Sequence, residues 1–179
     1  MTYEEYRAFD AAAETKHEYV NGEVYAMAGG TPEHARLQTR VSRLLGNALE
    51  GKPCEVYSSD LRVRITATGR STYPDVTVVC GQLATASDDP HGVTNPRVLI
   101  EVLSESTEGD DRGSKWSHYQ RIESLEEFVL VSQDQARVEV YRRSGEIWTY
   151  RSITSGSVEL ESLGVAIALD ELYESALGG

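Results

Sequence analysis

The sequence predicts an α/β domain built on a central sheet, and three observations carry that reading. An amphipathic helix opens at Thr31-Pro32, four apolar β-type segments follow between Cys54 and Leu103, and a second helical stretch leads directly into another strand at Phe128. With 179 residues, one domain spanning 1–179 is the expectation, since the chain is long enough to bury one core and short for two.

Taken in order, Tyr3 to Ala13 alternates aromatic, acidic and alanine positions as a short helix does. His17 to Val20 and Glu23 to Met27 flank Asn21-Gly22, the dipeptide that best supplies the two positive φ angles of a type I′ turn, so a hairpin is expected. Thr31 and Pro32 sit as N-cap and first helical residue, and Leu37, Val41, Leu44, Leu45 and Ala48 recur at helical spacing until Gly51 and Pro53. His34 lies on that apolar face, while Arg36, Arg40 and Arg43 form a stripe along its edge, read as a solvated helix edge or a track for phosphates. The β-type segments come as two pairs, Cys54 to Ser58 with Leu61 to Ile65, then Val76 to Cys80 with Val98 to Leu103. The polar stretch from Gly81 to Pro96 reads as a long loop. A helix from about Asp110 to Ile122 precedes strands at Phe128 to Ser132 and Val138 to Tyr141, with additional strands at Ile147 to Ile153 and Val158 to Leu160 and a closing helix from Asp170 to Leu177.

Hydrophobic residues make up 40% and charged residues 26%, the balance of an ordinary folded protein. No apolar run approaches the roughly 18 residues of a membrane span, and the amino terminus carries neither a basic segment nor an apolar core, so a cytoplasmic protein is expected. Cys54 and Cys80 are too few and too far apart for a disulfide framework or a thiolate zinc site and read as reduced thiols in strands. A net charge of -12 means that any nucleic-acid contact must rely on local patches.

Glu101 interrupts the strand Val98, Leu99, Ile100, Val102, Leu103, and a buried carboxylate demands a cation, donors or a raised pKa. Pro74 and Asp75 open the preceding strand, so if the two strands are neighbours the acids converge. Two carboxylates and a backbone carbonyl suit Mg²⁺, with Mn²⁺ as a substitute, and a metal there can bind a scissile phosphate and acidify a coordinated water. Asp111, Lys115 and Tyr119 recur at i, i+4 and i+8, one polar stripe whose lysine offers positive charge to that phosphate. The bland alternatives are an ion pair of Glu101 with Arg62 or Arg97, a turn role for Asp75, a solvated Lys115–Asp111 pair, a satisfied core histidine at His34, a packing role for Tyr119 and a turn cap at Asp60.

Tyr73-Pro74-Asp75, then Ile100-Glu101-Val102-Leu103-Ser104, then Asp111 to Lys115 and Tyr119 resemble the PD-(D/E)xK nuclease superfamily, and within it a group of restriction-endonuclease-like proteins. The resemblance runs from the Glu18 hairpin to about Tyr141 and takes in Met27 to Gly30 with His34, and Asp60 with Arg62. It implies a mixed central sheet flanked by helices, with the N-terminal hairpin and C-terminal strands as additions. It also implies Asp75, Glu101 and the Val102 carbonyl as metal ligands and His34 in place of an acidic first-helix residue. The superfamily's lysine stands two residues after the acid, where this chain has Leu103; Lys115 matches the variant whose lysine has migrated to the next helix.

Together these readings lead to a Mg²⁺-dependent endonuclease acting on DNA, with Asp75, Glu101, Lys115 and His34 as its catalytic residues. A homodimer is expected, since two sites cut two strands. The alternative is a non-catalytic module of the same fold, used for assembly or nucleic-acid binding. A two-carboxylate glycosidase lacks an evident arrangement of sugar-stacking aromatics around Trp116 and Trp148.

Overall fold

The structure is a computed structural model that describes residues 1–27 and 29–174. Helix α1 (Tyr3–Ala12) carries a capping box at Thr2 and Glu5 and precedes the hairpin β1 (His17–Val20) and β2 (Glu23–Ala26). Asn21 and Gly22 turn it with φ of 51° and 93°, both positive as the dipeptide requires. In α2 (Pro32–Ala48) the Thr31 hydroxyl accepts from His34 N at 3.1 Å, and Leu37, Val41 and Leu45 are buried.

The strands β3 (Cys54–Ser58), β4 (Arg62–Ile65), β5 (Arg70–Thr72), β6 (Val76–Cys80), β7 (Thr85–Ala86), β8 (Asp89–Val93) and β9 (Val98–Val102) follow. One continuous helical segment then runs through α3 (Glu108–Asp110), a π-helical turn (Asp111–Lys115) and α4 (Trp116–Tyr119). Strands β10 (Glu127–Val131), β11 (Val138–Ser144), β12 (Ile147–Ile153), β13 (Ser157–Leu160) and β14 (Val165–Ala168) and helix α5 (Leu169–Tyr173) are the last elements among the described residues. The expected closing helix extends to residue 177, and its last three positions lie outside the described residues.

The central sheet has the order β12-β11-β10-β9-β6-β3 and is mixed, because β9 and β10 run parallel while the other neighbours are antiparallel. On one face Val76, Val78, Val98 and Ile100 pack against Leu37, Val41 and Leu45 of α2. On the other, Leu99, Leu103, Phe128 and Leu130 pack against Tyr119, Ile122 and Leu125 and against Val63 and Ile65 of β4. Glu101 projects from this second face, since side chains alternate along a strand.

Four expectations are corrected. The β4 segment does not join β3 in the central sheet; it belongs to a second sheet of order β2-β1-β5-β4-β8-β7. Residues 81–96 are not a plain loop, because they hold β7 and β8, and β8 is anchored by Asp89, which takes a bidentate pair from Arg62 at 2.8 and 3.0 Å. β5 and β14 went unanticipated. Cys54 and Cys80 are not free thiols: the β3–β6 register sets them directly opposite with Cα atoms 4.0 Å apart, and they form a disulfide. Among the described residues no helix is long and apolar enough to cross a membrane.

Candidate active site

The last ladder pair of β6 and β9 at this end is Val76 with Ile100, so the next positions along each strand are Asp75 and Glu101. Residues directly opposed in an antiparallel pair share a face. The register therefore brings two acids far apart in the chain to the same end of the sheet, where Asp75 Oδ2 accepts from the N–H of Val102, the residue after Glu101.

Glu101 is 3% exposed, and both donors it receives converge on Oε1: Tyr119 donates its hydroxyl at 2.7 Å and Lys115 its Nζ at 3.2 Å. Burial pushes the Glu101 carboxyl up to about 8, against the pull of Lys115 and with the charges of Asp111 and Asp75 adding to the rise. Lys115 lies 2.9 Å from Asp111 Oδ1 and 3.8 Å from Glu18 Oε1 as well. Burial works to lower its pKa, but Glu101, Tyr119, Glu18 and Asp111 outweigh burial, and the ammonium is held protonated. Arg70, 1% exposed, ties Glu18 (2.8 Å) to Asp110 (3.0 Å) and Ser114 (2.9 Å), and so fixes the helical segment that carries Lys115 to the hairpin.

Asp75 Oδ2 accepts from Val102 N at 2.7 Å and lies 3.1 Å from His34 Nε2, while Gln38 donates to the Asp75 carbonyl at 2.9 Å. The hydrogen bond to Asp75 raises the His34 pKa, opposed by burial, with a smaller upward push from the Val102 carbonyl. His34, Asp75 and the Val102 backbone therefore form one contact group, next to the Glu101–Lys115–Tyr119 group.

The arrangement suits a hard divalent cation. Each carboxylate commits one oxygen to internal donors, and among the described residues no donor reaches Glu101 Oε2 or Asp75 Oδ1. Among them, too, no three His, Cys, Asp or Glu side chains form a ready-made cage. Two carboxylates and the Val102 carbonyl, with water completing the shell, is the donor set that Mg²⁺ accepts.

The Uma2 family model, described as "Putative restriction endonuclease", matches residues 3–170. The chain belongs to the Uma2 family. Two relatives from Synechocystis sp., both named as uncharacterized proteins, are 36% identical over 177 residues (97% of this chain, 91% of the relative) and 33% identical over 162 (90% and 92%). The crystal structure of "a putative nuclease belonging to DUF820" from Anabaena variabilis superposes with a TM-score of 0.73 at 16% identity, covering 90% of this chain and 91% of that one. That likeness shows the fold, which is restriction-endonuclease-like as the sequence motifs imply.

The bland readings are partly met and partly replaced in this Uma2 chain. Arg62 is taken by Asp89 and Asp10 and Arg97 by Glu126, so the cation beside Glu101 is Lys115. Tyr119 is a hydrogen-bond donor to Glu101 besides being packed, and Lys115 is buried rather than solvated. Two of the three stripe arginines, Arg36 and Arg40, donate at the surface to carbonyls of Glu171 and Glu174 at the end of α5. Asp60 pairs with Lys16. Glu18, Arg70 and Gln38 are the supporting residues that sequence reasoning did not assign, and Arg70-Ser71-Thr72 has no apolar alternation that would have marked β5 as a buried strand.

Proposed function

We propose that this chain is a divalent-metal-dependent endonuclease hydrolysing DNA phosphodiester bonds. The observation that carries the reading is the placement of Asp75 and Glu101 just beyond the last β6–β9 pair, Asp75 bonded to Val102 N, with the protonated Lys115 3.2 Å from Glu101. Asp75, Glu101 and the Val102 carbonyl would hold Mg²⁺, or Mn²⁺ in its place. Such a cation, when bound, lowers the pKa of a coordinated water and offsets negative charge on the phosphate.

The chain's own residues divide the remaining work. Lys115, already protonated, serves as a point charge beside the phosphate and not as a base. Tyr119 and Lys115 fix Glu101 through Oε1, so Oε2 is the oxygen that would be offered to a cation. His34 orients Asp75 through Nε2, and the same hydrogen bond holds its pKa above the ordinary imidazole value. Two copies, each cutting one strand, make the homodimer the natural working unit, and the cytoplasm is where such an enzyme meets DNA.

A non-catalytic module of the same fold is the second reading, favoured by the internal pairing of both carboxylates with Lys115 and His34. Plasmid nicking in Mg²⁺ or Mn²⁺ separates the two. Asp75→Asn and Glu101→Gln are expected to lose ~100-fold or more in rate while retaining the native circular dichroism spectrum. Equal nicking by wild type and variants, or none by wild type with either metal, refutes the catalytic reading.

A further inference from the structure

The β1–β2 hairpin and the segment ahead of α4 enclose a cleft of about 460 Å³ that reaches Lys115. That volume falls in the range of about 300–1,000 Å³ typical of small-ligand sites. One wall is apolar, made by Val20, Tyr25 and Met27, and the facing wall carries the hydroxyls of Thr107 and Ser114. Tyr25 is 52% exposed, its hydroxyl is taken by Glu23, and none of the ring–ring contacts among the described residues involves it. A large, exposed aromatic ring thus lines a cleft beside the candidate active site with its stacking capacity unused.

The charges in the cleft are already matched. Arg70 is spent on Glu18 and Asp110, and Lys115 on Glu101 and Asp111. A second phosphate would find no free cation among these, whereas a neutral heterocycle needs a flat apolar surface along one side and polar partners at its edge.

We infer that this cleft takes one unpaired nucleobase of the DNA strand, packed against Tyr25 with its polar edge toward Thr107 and Ser114, next to the phosphate held near Lys115. The inference rests on the nuclease reading and narrows its substrate: a base locked in a duplex stack cannot enter, so strands with an unpaired or extruded base at the cut are preferred.

Fluorescence anisotropy with labelled single-stranded and duplex oligonucleotides, in Ca²⁺ to hold off cleavage, tests it on wild type, Tyr25→Ala and Tyr25→Phe. Tyr25→Ala should weaken single-strand binding roughly 5- to 150-fold, the contribution of one stacked base. Tyr25→Phe should bind like wild type, and duplex binding should change in neither. Unchanged single-strand affinity in Tyr25→Ala, an equal loss on duplex, or no DNA binding by wild type overturns the cleft. The nuclease reading falls separately, on the nicking assay with Asp75→Asn, in which Tyr25 plays no part.

Discussion

Replacing Lys115 by Met isolates the electrostatics of the site from its chemistry. The ammonium, 9% exposed on its side chain, stands 3.2 Å from Glu101 and 2.9 Å from Asp111, which are themselves 3% and 1% exposed. The substitution keeps the volume and removes the charge, leaving two carboxylates buried without their cation. Breaking a buried pair in this way costs about 3–5 kcal/mol, which for a chain of this size lowers Tm by roughly 6–20 °C. Glu101→Gln added to Lys115→Met should recover part of that loss, because removing both charges leaves less uncompensated charge than removing one. The pH dependence has a definite sign. Burial already raises Glu101 above its ordinary value, and Lys115 is the strongest influence holding it down, so the variant raises it further. A carboxyl whose folded pKa exceeds its unfolded value binds more protons when folded, and stability is lost as pH rises from about 4.3 through the folded pKa. The deficit of Lys115→Met should therefore be small at pH 5 and largest near pH 9. Thermal melts of the two single variants and the double, across that range, read all three outcomes. Strictly additive effects, or a deficit that shrinks as pH rises, would refute the assigned coupling.

Three further outcomes are expected. Because a cation binds the ionised carboxylate and Glu101 titrates at about 8, Mn²⁺ affinity should climb with pH up to that value, with up to one proton released per ion at pH 7; calorimetry in buffers of different ionisation enthalpy reads the proton, and none released counts against Glu101 as a ligand. Asp89 is pushed up by burial but held below its ordinary value by Arg62, Tyr3 and the His91 N–H, so its contribution is present above about pH 4 and lost as pH falls through its folded pKa; Arg62→Leu should destabilise the protein at pH 7 and flatten the acid limb of its stability curve, followed by circular dichroism. Reducing the Cys54–Cys80 bond, which closes a separation of 26 residues, should cost about 3 kcal/mol, or roughly 6–12 °C in Tm; a melt unchanged by dithiothreitol would show that the bond does not contribute that stability.

What was legible in the sequence was local. Asn21-Gly22 and Thr31-Pro32 specify their turn and helix start through φ and a capping hydroxyl, within a few residues, and the structure places both as read. What escaped depends on partners far along the chain. Asp88-Asp89-Pro90 looks like a turn, yet Asp89 is fully buried because Arg62, 27 positions earlier, grips it. The Cys54–Cys80 pairing follows from a strand register that spacing alone does not reveal. The same distinction divides the site. A charge within the run Val98 to Val102 announces that Glu101 must be compensated, but not by which cation, and Arg62 and Arg97 were reasonable candidates until the fold committed them elsewhere.

The displaced lysine then has a structural logic. Position 103 projects from the same face as Glu101, and Leu103 is 5% exposed there, packed with Tyr119, Phe128 and Leu130 in the second core. That strand position is given to apolar packing, and the charge arrives from the neighbouring helical segment. A lysine on the strand would be placed by the strand alone. Lys115 is instead placed by Asp111 on its own turn, by Glu101 below it and by Glu18 across the intersheet boundary, with Arg70 tying Glu18 to the same segment. The cation beside Glu101 is therefore as well positioned as the contact between the hairpin sheet and the helical segment. Substitutions at Glu18 or Arg70, which touch neither carboxylate of the candidate metal site, should act on Lys115 through that contact.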